Sequence, residues 1–432
     1  MQIRKEYRYF DVYPRIVRTG CVTRITVRPL FAHLGFDEGQ AYTVIIQPVE
    51  GRVGQMGWEV PPPLPFRLER GELILDYLFE REQEYVLLIS VDDQGRPQVR
   101  WEFHLYALDA DLFARRPFKG DMHMHSIYSD GREPPAYVAG ACRRTGLDFI
   151  AVTDHRQYAP SLEAIRAFEG VDIDLRIYPG EEVHPPENPI HIINFGGRFS
   201  INDRFAEEAY RREVERVQAT LTDMPSGIDT YPYASCVWCF EQIRAGGGLA
   251  VFCHPYWITR YRNDAPIDLV DLLFERQPYD ALELIGGYWL HEVEANTLQV
   301  ARYHEERAKG RQIPVVGVSD AHGCERGLLG WYYTVVFSPG ADLPDLISSI
   351  KSLYSVAVEA LPDDPARAFG PFRLVKYTQF LLREVFPQHD ELCAEEGRLM
   401  IAYAAGNPHA ADMLHLLHGR TALLYDHLWG VS

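Results

Sequence analysis

LDFIAVTDH, residues 147–155, opens as an apolar run and closes on two polar side chains, Asp154 and His155. A run this short, with polar residues at its end, reads as a strand buried on both faces. The same form recurs downstream. LRIYPGEEV at 175–183 reaches Glu181 and Glu182, GLAVFCHP at 248–255 runs into His254, and IPVVGVSDAH at 313–322 runs into Asp320 and His322. YDALELIGG at 279–287 and WYYTVVF at 331–337 are further strand candidates. IHIINFGG, residues 190–197, departs from the pattern, because His191 opens its strand. Amphipathic stretches at 202–221, 266–276 and 290–309 lie between these strands. The alternation predicts an α/β domain with a largely parallel sheet. Active sites of α/β barrels collect at the carboxyl ends of their strands, which is where most of these His, Asp and Glu residues fall.

Just upstream, GDMHMHSIYSDG at 120–131 places His123 and His125 two residues apart, with Asp130 following. In an extended segment residues i and i+2 share a face, so both imidazoles enter one cavity. Asp320 and His322 repeat that spacing. Neutral imidazoles and carboxylates are ligands for divalent transition metals. The candidate ligands are His123, His125, Asp130, His155, Glu182, His191, His254, Asp320 and His322. A catalytic zinc commonly takes three or four protein ligands, so this set implies two or three ions, Zn, Mn or Fe, with a carboxylate bridging. Cys253 and Cys324 align poorly with the set. Cys236 and Cys239 form a C-x-x-C without a second pair, which reads as small residues buried on a helix rather than a zinc or redox site.

Outward from this region the pattern changes. Residues 1–107 look all-β: CVTRITVRPL at 21–30 alternates, AYTVIIQPV and GELILDYLF are strand-like, and residues 84–108 read as two strands joined by a tight turn at Asp93-Gln94-Gly95-Arg96-Pro97. These features predict a β-sandwich domain over 1–107, a linker over 108–118, the α/β domain over 119–340 and a helical C-terminal extension over 341–432 that packs on it. A length of 432 residues accommodates two or three domains. The formal charge of −18 argues against broad nucleic-acid binding and against an anionic membrane surface. No stretch approaches the ~18 apolar residues of a membrane span, the N-terminus lacks the apolar core of a secretory signal, and seven scattered cysteines suit a reducing compartment. The expected location is the cytoplasm.

Taken in order, DMHMHSIYSDG, VTDH, GEE, IHIINF, FCHP and VSDAH resemble the motifs of the PHP (polymerase and histidinol phosphatase) domain family over residues 119–335. The resemblance implies a distorted (β/α)7 barrel holding two or three divalent metals. It implies that His123, His125, Glu182 and Asp320 hold the first metal. Glu182 would bridge to a second, bound also by His191 and His254, and Asp130, His155 and His322 would hold a third. Glu181 competes with Glu182 in GEE, and His184 competes with His191. His155, His254, His322 and Asp320 are the implied catalytic residues. Glu283 falls where the family often carries a carboxylate, either orienting a ligand histidine or serving as a buried strand residue.

The implied activity is hydrolysis of a phosphate ester of a small molecule (a nucleotide, sugar or amino-alcohol phosphate) by a metal-bridged hydroxide. Loop arginines that could clamp the phosphate are Arg156, Arg260, Arg262 and Arg326. Two alternatives stand beside this reading. One is a serine-type hydrolase with Ser319 in GVSDA as nucleophile, close to the G-x-S-x-G elbow. The other is a ligand- or glycan-binding protein whose metal site is structural.

Overall fold

A computed structural model describes residues 3–51, 56–57, 59–93, 96–206, 208–259, 261–287, 292–325 and 329–431. The chain divides into two compact units. One comprises residues 1–116, 376–389 and 419–432, the other residues 117–375 and 390–418.

In the first unit the alternating segments form two four-stranded sheets. Phe10–Tyr13, Val22–Pro29, Glu72–Leu78 and Arg67–Glu69 pair antiparallel in that order. Ile16–Arg18, Arg96–Leu108, Gln83–Asp93 and Tyr42–Pro48 make the other sheet, with only the first pair parallel. Alternate residues point inward, as a strand period of two requires. Val12, Val27, Val44, Leu87, Phe103 and Leu105 thus meet in one buried cluster. Gln94 and Gly95, in the expected tight turn, lie outside the described residues. Two C-terminal segments belong to this unit: Arg15 donates to the Glu384 carbonyl at 2.7 Å, and the Trp429 indole donates to the Phe113 carbonyl at 3.1 Å.

The second unit carries one six-stranded and one five-stranded sheet. In the first, Arg116–Asp121, Phe149–Ala151 and Arg176–Tyr178 are parallel, and Tyr332–Ser338, Ser355–Glu359 and Arg367–Phe369 complete it. In the other, Leu249–Phe252, Ala281–Ile285 and Val315–Gly317 are parallel. Gly180–Val183, Ile192–Phe195 and Leu249–Phe252 pair antiparallel, so the sheets are mixed rather than largely parallel. For Gly180–Val183 and Ile192–Phe195 the physical reason is connection length: residues 184–191 are too few for the dozen or more that a parallel crossover needs. Two isolated parallel bridges, Met124–Ala321 and His155–Glu182, join residues near the strand ends of one sheet to those of the other.

Phe149–Ala151, Ile192–Phe195, Leu249–Phe252, Ala281–Ile285, Val315–Gly317 and Tyr332–Ser338 are buried along their whole length, which explains their nearly continuous apolar runs. Phe149, Ile193, Phe195, Leu249, Val251 and Val316 fill one cluster. The intervening residues Ile192, Ala250, Phe252, Leu282 and Val315 pack instead with Trp238, Phe240, Leu269 and Leu273. The latter come from helices Tyr231–Ala245 and Ile267–Arg276. Cys236 and Cys239 are buried in that first helix, and burial pushes the Cys236 thiol up to about 12. The expected helical extension from 341 also contains the strands Ser355–Glu359 and Arg367–Phe369. Val356 and Val358 favour the pleated conformation, and all five residues of the former strand are buried. No helix among the described residues is long and apolar enough to cross a membrane.

Candidate metal centre

Each donor leaves its strand at the same end of the second unit. His123 and His125 follow Arg116–Asp121, His155 follows Phe149–Ala151, and Glu182 lies within Gly180–Val183. His254 follows Leu249–Phe252, and Asp320 and His322 follow Val315–Gly317. His191 precedes Ile192–Phe195, but that strand runs antiparallel to both neighbours. Its start therefore lies beside the carboxyl ends of both, Val183 and Phe252, and His191 joins the other donors.

Glu182 is completely buried at the middle of the group. Its Oε1 is 2.8 Å from His191 Nδ1 and 3.6 Å from His254 Nε2. Its Oε2 is 3.6 Å from His123 Nε2 and 3.7 Å from His125 Nε2, and it also contacts His155 Nδ1. Asp320 Oδ1 is 3.2 Å from His123 Nε2 and 2.8 Å from His125 Nε2. Asp130, half exposed, faces His322 Nε2 at 3.2 Å and His155 Nε2 at 3.3 Å. Glu181 points away: its carboxylate accepts from Asn194, Ser200 Oγ and Asn202. That separates the two glutamates of GEE, with Glu182 the one inside the group.

Neighbouring residues orient these donors. Glu283 Oε2 lies 3.0 Å from His123 Nδ1. With that nitrogen donating, a neutral His123 aims the Nε2 lone pair at Asp320 and Glu182. His322 Nδ1 donates to the Asp320 carbonyl at 2.7 Å, which in the neutral ring aims Nε2 at Asp130. Lone pairs facing carboxylate oxygens need a cation between them, a proton or a metal. His123 Nε2, His191 Nδ1 and both Glu182 oxygens are buried without a hydrogen bond, so the donor set fits divalent ions.

The backbone is fixed in turn. Asp121 accepts from the N–H groups of His123 and Ser319, and Asp154 accepts from the backbone and hydroxyls of Ser126 and Ser129. Gly131 is required sterically, because a Cβ there would come within 2.4 Å of the His125 carbonyl oxygen. Asp320 has φ +47° and His254 φ +21°, backbone conformations that side-chain-bearing residues rarely adopt and that cost about 1–3 kcal/mol each.

The electrostatics follow from burial and pairing. Burial alone would lower His254, but Glu182, Glu283 and Asp320 raise it to about 9. Burial likewise opposes a large upward shift at His123, which Asp320 and Glu182 produce. Burial wins at His125, which is lowered. Burial would raise Glu182 and Asp320, yet the surrounding imidazoles hold both well below the usual carboxylate range. Burial raises Asp121 to about 7.

All nine sequence-predicted donors therefore converge. A tenth, His184, joins them, with Nε2 3.4 Å from Glu182 Oε2. Its i, i+2 spacing from Glu182 repeats that of 123/125 and 320/322, and that repetition is the signal that marks it. Among the arginines, Arg156 is exposed and lines a cavity of about 490 Å³ with His184 and His191. Arg262 is exposed on a short hairpin strand, whereas Arg260 and Arg326 lie outside the described residues. Ser319 is completely buried, and its hydroxyl donates to the His123 carbonyl at 3.3 Å while accepting from Ala321 N–H. Among the described residues no imidazole partners that hydroxyl, so the serine-elbow geometry is not formed.

No known family's sequence profile matches the chain. The DNA polymerase/3'-5' exonuclease PolX of Bacillus subtilis is 38% identical over 104 residues, 21% of this chain and 18% of that protein. The chain thus spans less than a fifth of that relative's length. A two-domain protein from Bacteroides vulgatus, containing a predicted PHP-like metal-dependent phosphoesterase, is 16% identical with a TM-score of 0.38; the match covers 56% of this chain and 65% of that one. A protein from Bifidobacterium adolescentis assigned as a metal-dependent phosphoesterase is 21% identical with a TM-score of 0.32, covering 48% of this chain and 89% of that one. In the order of its motifs the chain resembles the PHP domain family.

Proposed function

We propose that this chain is a PHP-type metal-dependent phosphoesterase that hydrolyses a phosphate ester of a small molecule. The observation that carries the reading is Glu182: a buried carboxylate, without a hydrogen bond at either oxygen, between two sets of imidazole nitrogens. On this reading His123, His125, Glu182 and Asp320 hold one ion and Glu182, His191 and His254 a second. Asp130, His155 and His322 hold a third. Divalent ions there supply a water that ionises near neutral pH and positive charge against the phosphoryl oxygens.

The protein's own part is positioning. Glu283 and the Asp320 carbonyl set which nitrogen of His123 and His322 faces the centre. Asp121 and Asp154 hold the two donor-bearing loops rigid. The cavity beside His184 and His191 receives the alcohol portion, with Arg156 as its cation for the phosphate. The seven-strand barrel belongs to the same proposal. The two bridges and the interior cluster shared by strands of both sheets support closure, with the N-terminal unit as a β-sandwich. The charge of −18 favours a small substrate over nucleic acid, and seven free thiols favour a cytoplasmic location.

The test is a panel of phosphomonoesters and phosphodiesters assayed after metal removal and after readdition of Zn²⁺, Mn²⁺ or Fe²⁺. Turnover that vanishes with a chelator and returns with metal supports the reading. Turnover indifferent to chelation refutes it.

A further inference from the structure

We propose that His184 is itself a metal ligand of this centre, completing a donor group with His155 Nδ1 and Glu182 Oε2. The inference rests on the metal-dependent reading above and adds a residue that the motif resemblance does not assign. His184 Nε2 is 3.0 Å from His155 Nδ1 and 3.4 Å from Glu182 Oε2, and the last two atoms are themselves in contact. Three potential ligand atoms from two chain segments thus face one point. Two imidazole nitrogens and a carboxylate oxygen make a set suited to Zn²⁺, Mn²⁺ or Fe²⁺.

The ring is held in place. It stacks on His191 with centroids 3.9 Å apart and planes 26° apart. The His184 backbone N–H donates to Asn202 Oδ1 at 3.1 Å, and Asn202 Nδ2 donates back to the Glu182 carbonyl at 3.0 Å and to Glu181 at 2.9 Å. Asn202 therefore ties the Glu181–His184 segment into one geometry, as residues behind metal ligands do. His155 decides between two uses. A neutral imidazole has one acceptor nitrogen. His155 Nε2 faces Asp130, whereas Nδ1 faces Glu182 and His184. Asp130 is half exposed and Glu182 is completely buried, so the less hydrated carboxylate lies on the Nδ1 side, and on this inference His155 serves that side through Nδ1 instead of the third ion, which keeps Asp130 and His322.

The experiment titrates metal-stripped full-length chain with Mn²⁺ and with Zn²⁺, by calorimetry and elemental analysis. It compares wild type, His184→Ala, His184→Gln and a His123→Ala/His125→Ala double variant, with folding checked by circular dichroism. Each His184 variant is expected to lose one ion or to bind one class of ion at least about tenfold more weakly. The Gln variant retains bulk at the stacking position and decides the matter if the Ala variant does not fold. In wild type, diethyl pyrocarbonate labelling of His184, read by mass spectrometry, is expected to fall on metal loading. Unchanged ion number and affinity in the folded His184 variants, or labelling of His184 indifferent to metal, overturns the inference. Full metal uptake by the double variant would instead overturn the metal centre as a whole.

Discussion

Replacing Glu182 with glutamine tests the centre with almost no change in volume. The carboxylate contributes one oxygen to the His191 and His254 side and the other to the His123, His125 and His155 side. An amide keeps one acceptor oxygen, turns the other position into a donor and removes the negative charge. The donor then faces imidazole nitrogens or metal ions on one side of the residue. Because Glu182 is completely buried, water cannot compensate. Breaking a buried charge pair by removing one partner costs about 3–5 kcal/mol, equivalent to between two and four orders of magnitude in an equilibrium constant. Metal affinity of Glu182→Gln is therefore expected to fall by that factor, with loss of phosphoesterase turnover. Calorimetric titration of the stripped protein, with elemental analysis of the loaded form, measures it. Two ions still bound within threefold of wild-type affinity would refute the reasoning, since a carboxylate shared by two ions cannot be dispensable to both.

Four further outcomes follow from the same geometry. Glu283→Ala frees the His123 ring and is expected to weaken metal binding about 10–100-fold. Glu283→Gln, which keeps an acceptor for His123 Nδ1, recovers most of it in the same titration. With His254 raised to about 9, metal uptake near neutral pH must displace a proton, so calorimetry in buffers of different ionisation enthalpy should register proton release, and affinity should rise as pH approaches about 9. In the metal-free protein the His254 contribution to stability is complete below its unfolded value of 6.5 and is lost as pH rises through about 9. The contributions of Glu182 and Asp320, whose values are depressed, are present above their unfolded values and lost as pH falls through their folded ones. Denaturation midpoints of stripped protein across pH should fall at both extremes. Ser319→Ala removes two hydrogen bonds and should cost about 1–3 kcal/mol of stability while leaving turnover within tenfold of wild type; abolished turnover in a folded, metal-loaded variant would restore the serine-nucleophile alternative.

The donor residues were legible in the sequence because chemistry and spacing coincided. Buried apolar strands ended repeatedly in His, Asp or Glu, and paired donors fell two apart. Strand direction was not legible in the same way. His191 opens its strand and still joins the other donors because Ile192–Phe195 is antiparallel to its neighbours, which the short 184–191 connection imposes against Gly180–Val183 and no residue preference announces. His184 is the less legible donor because it lies only seven residues before His191 and carries no motif of its own, although the Glu182–His184 spacing matches the other pairs. Ser355–Glu359 was hidden among helical segments; five residues with two valines are too few to outweigh their flanks until tertiary pairing with Tyr332–Val336 supplies the ladder. Arginines in loops carry no periodicity, and Arg156 became distinguishable only through its place beside His184 and His191.

The most direct measurement is anomalous diffraction from crystals of the full chain loaded with Mn²⁺ or Zn²⁺, recorded at the absorption edge of the metal. The account predicts separate peaks on the two sides of the Glu182 carboxylate, one among His123, His125 and Asp320 and one against His191 and His254. A map of well-ordered, metal-equilibrated crystals with no anomalous density touching Glu182 would contradict it.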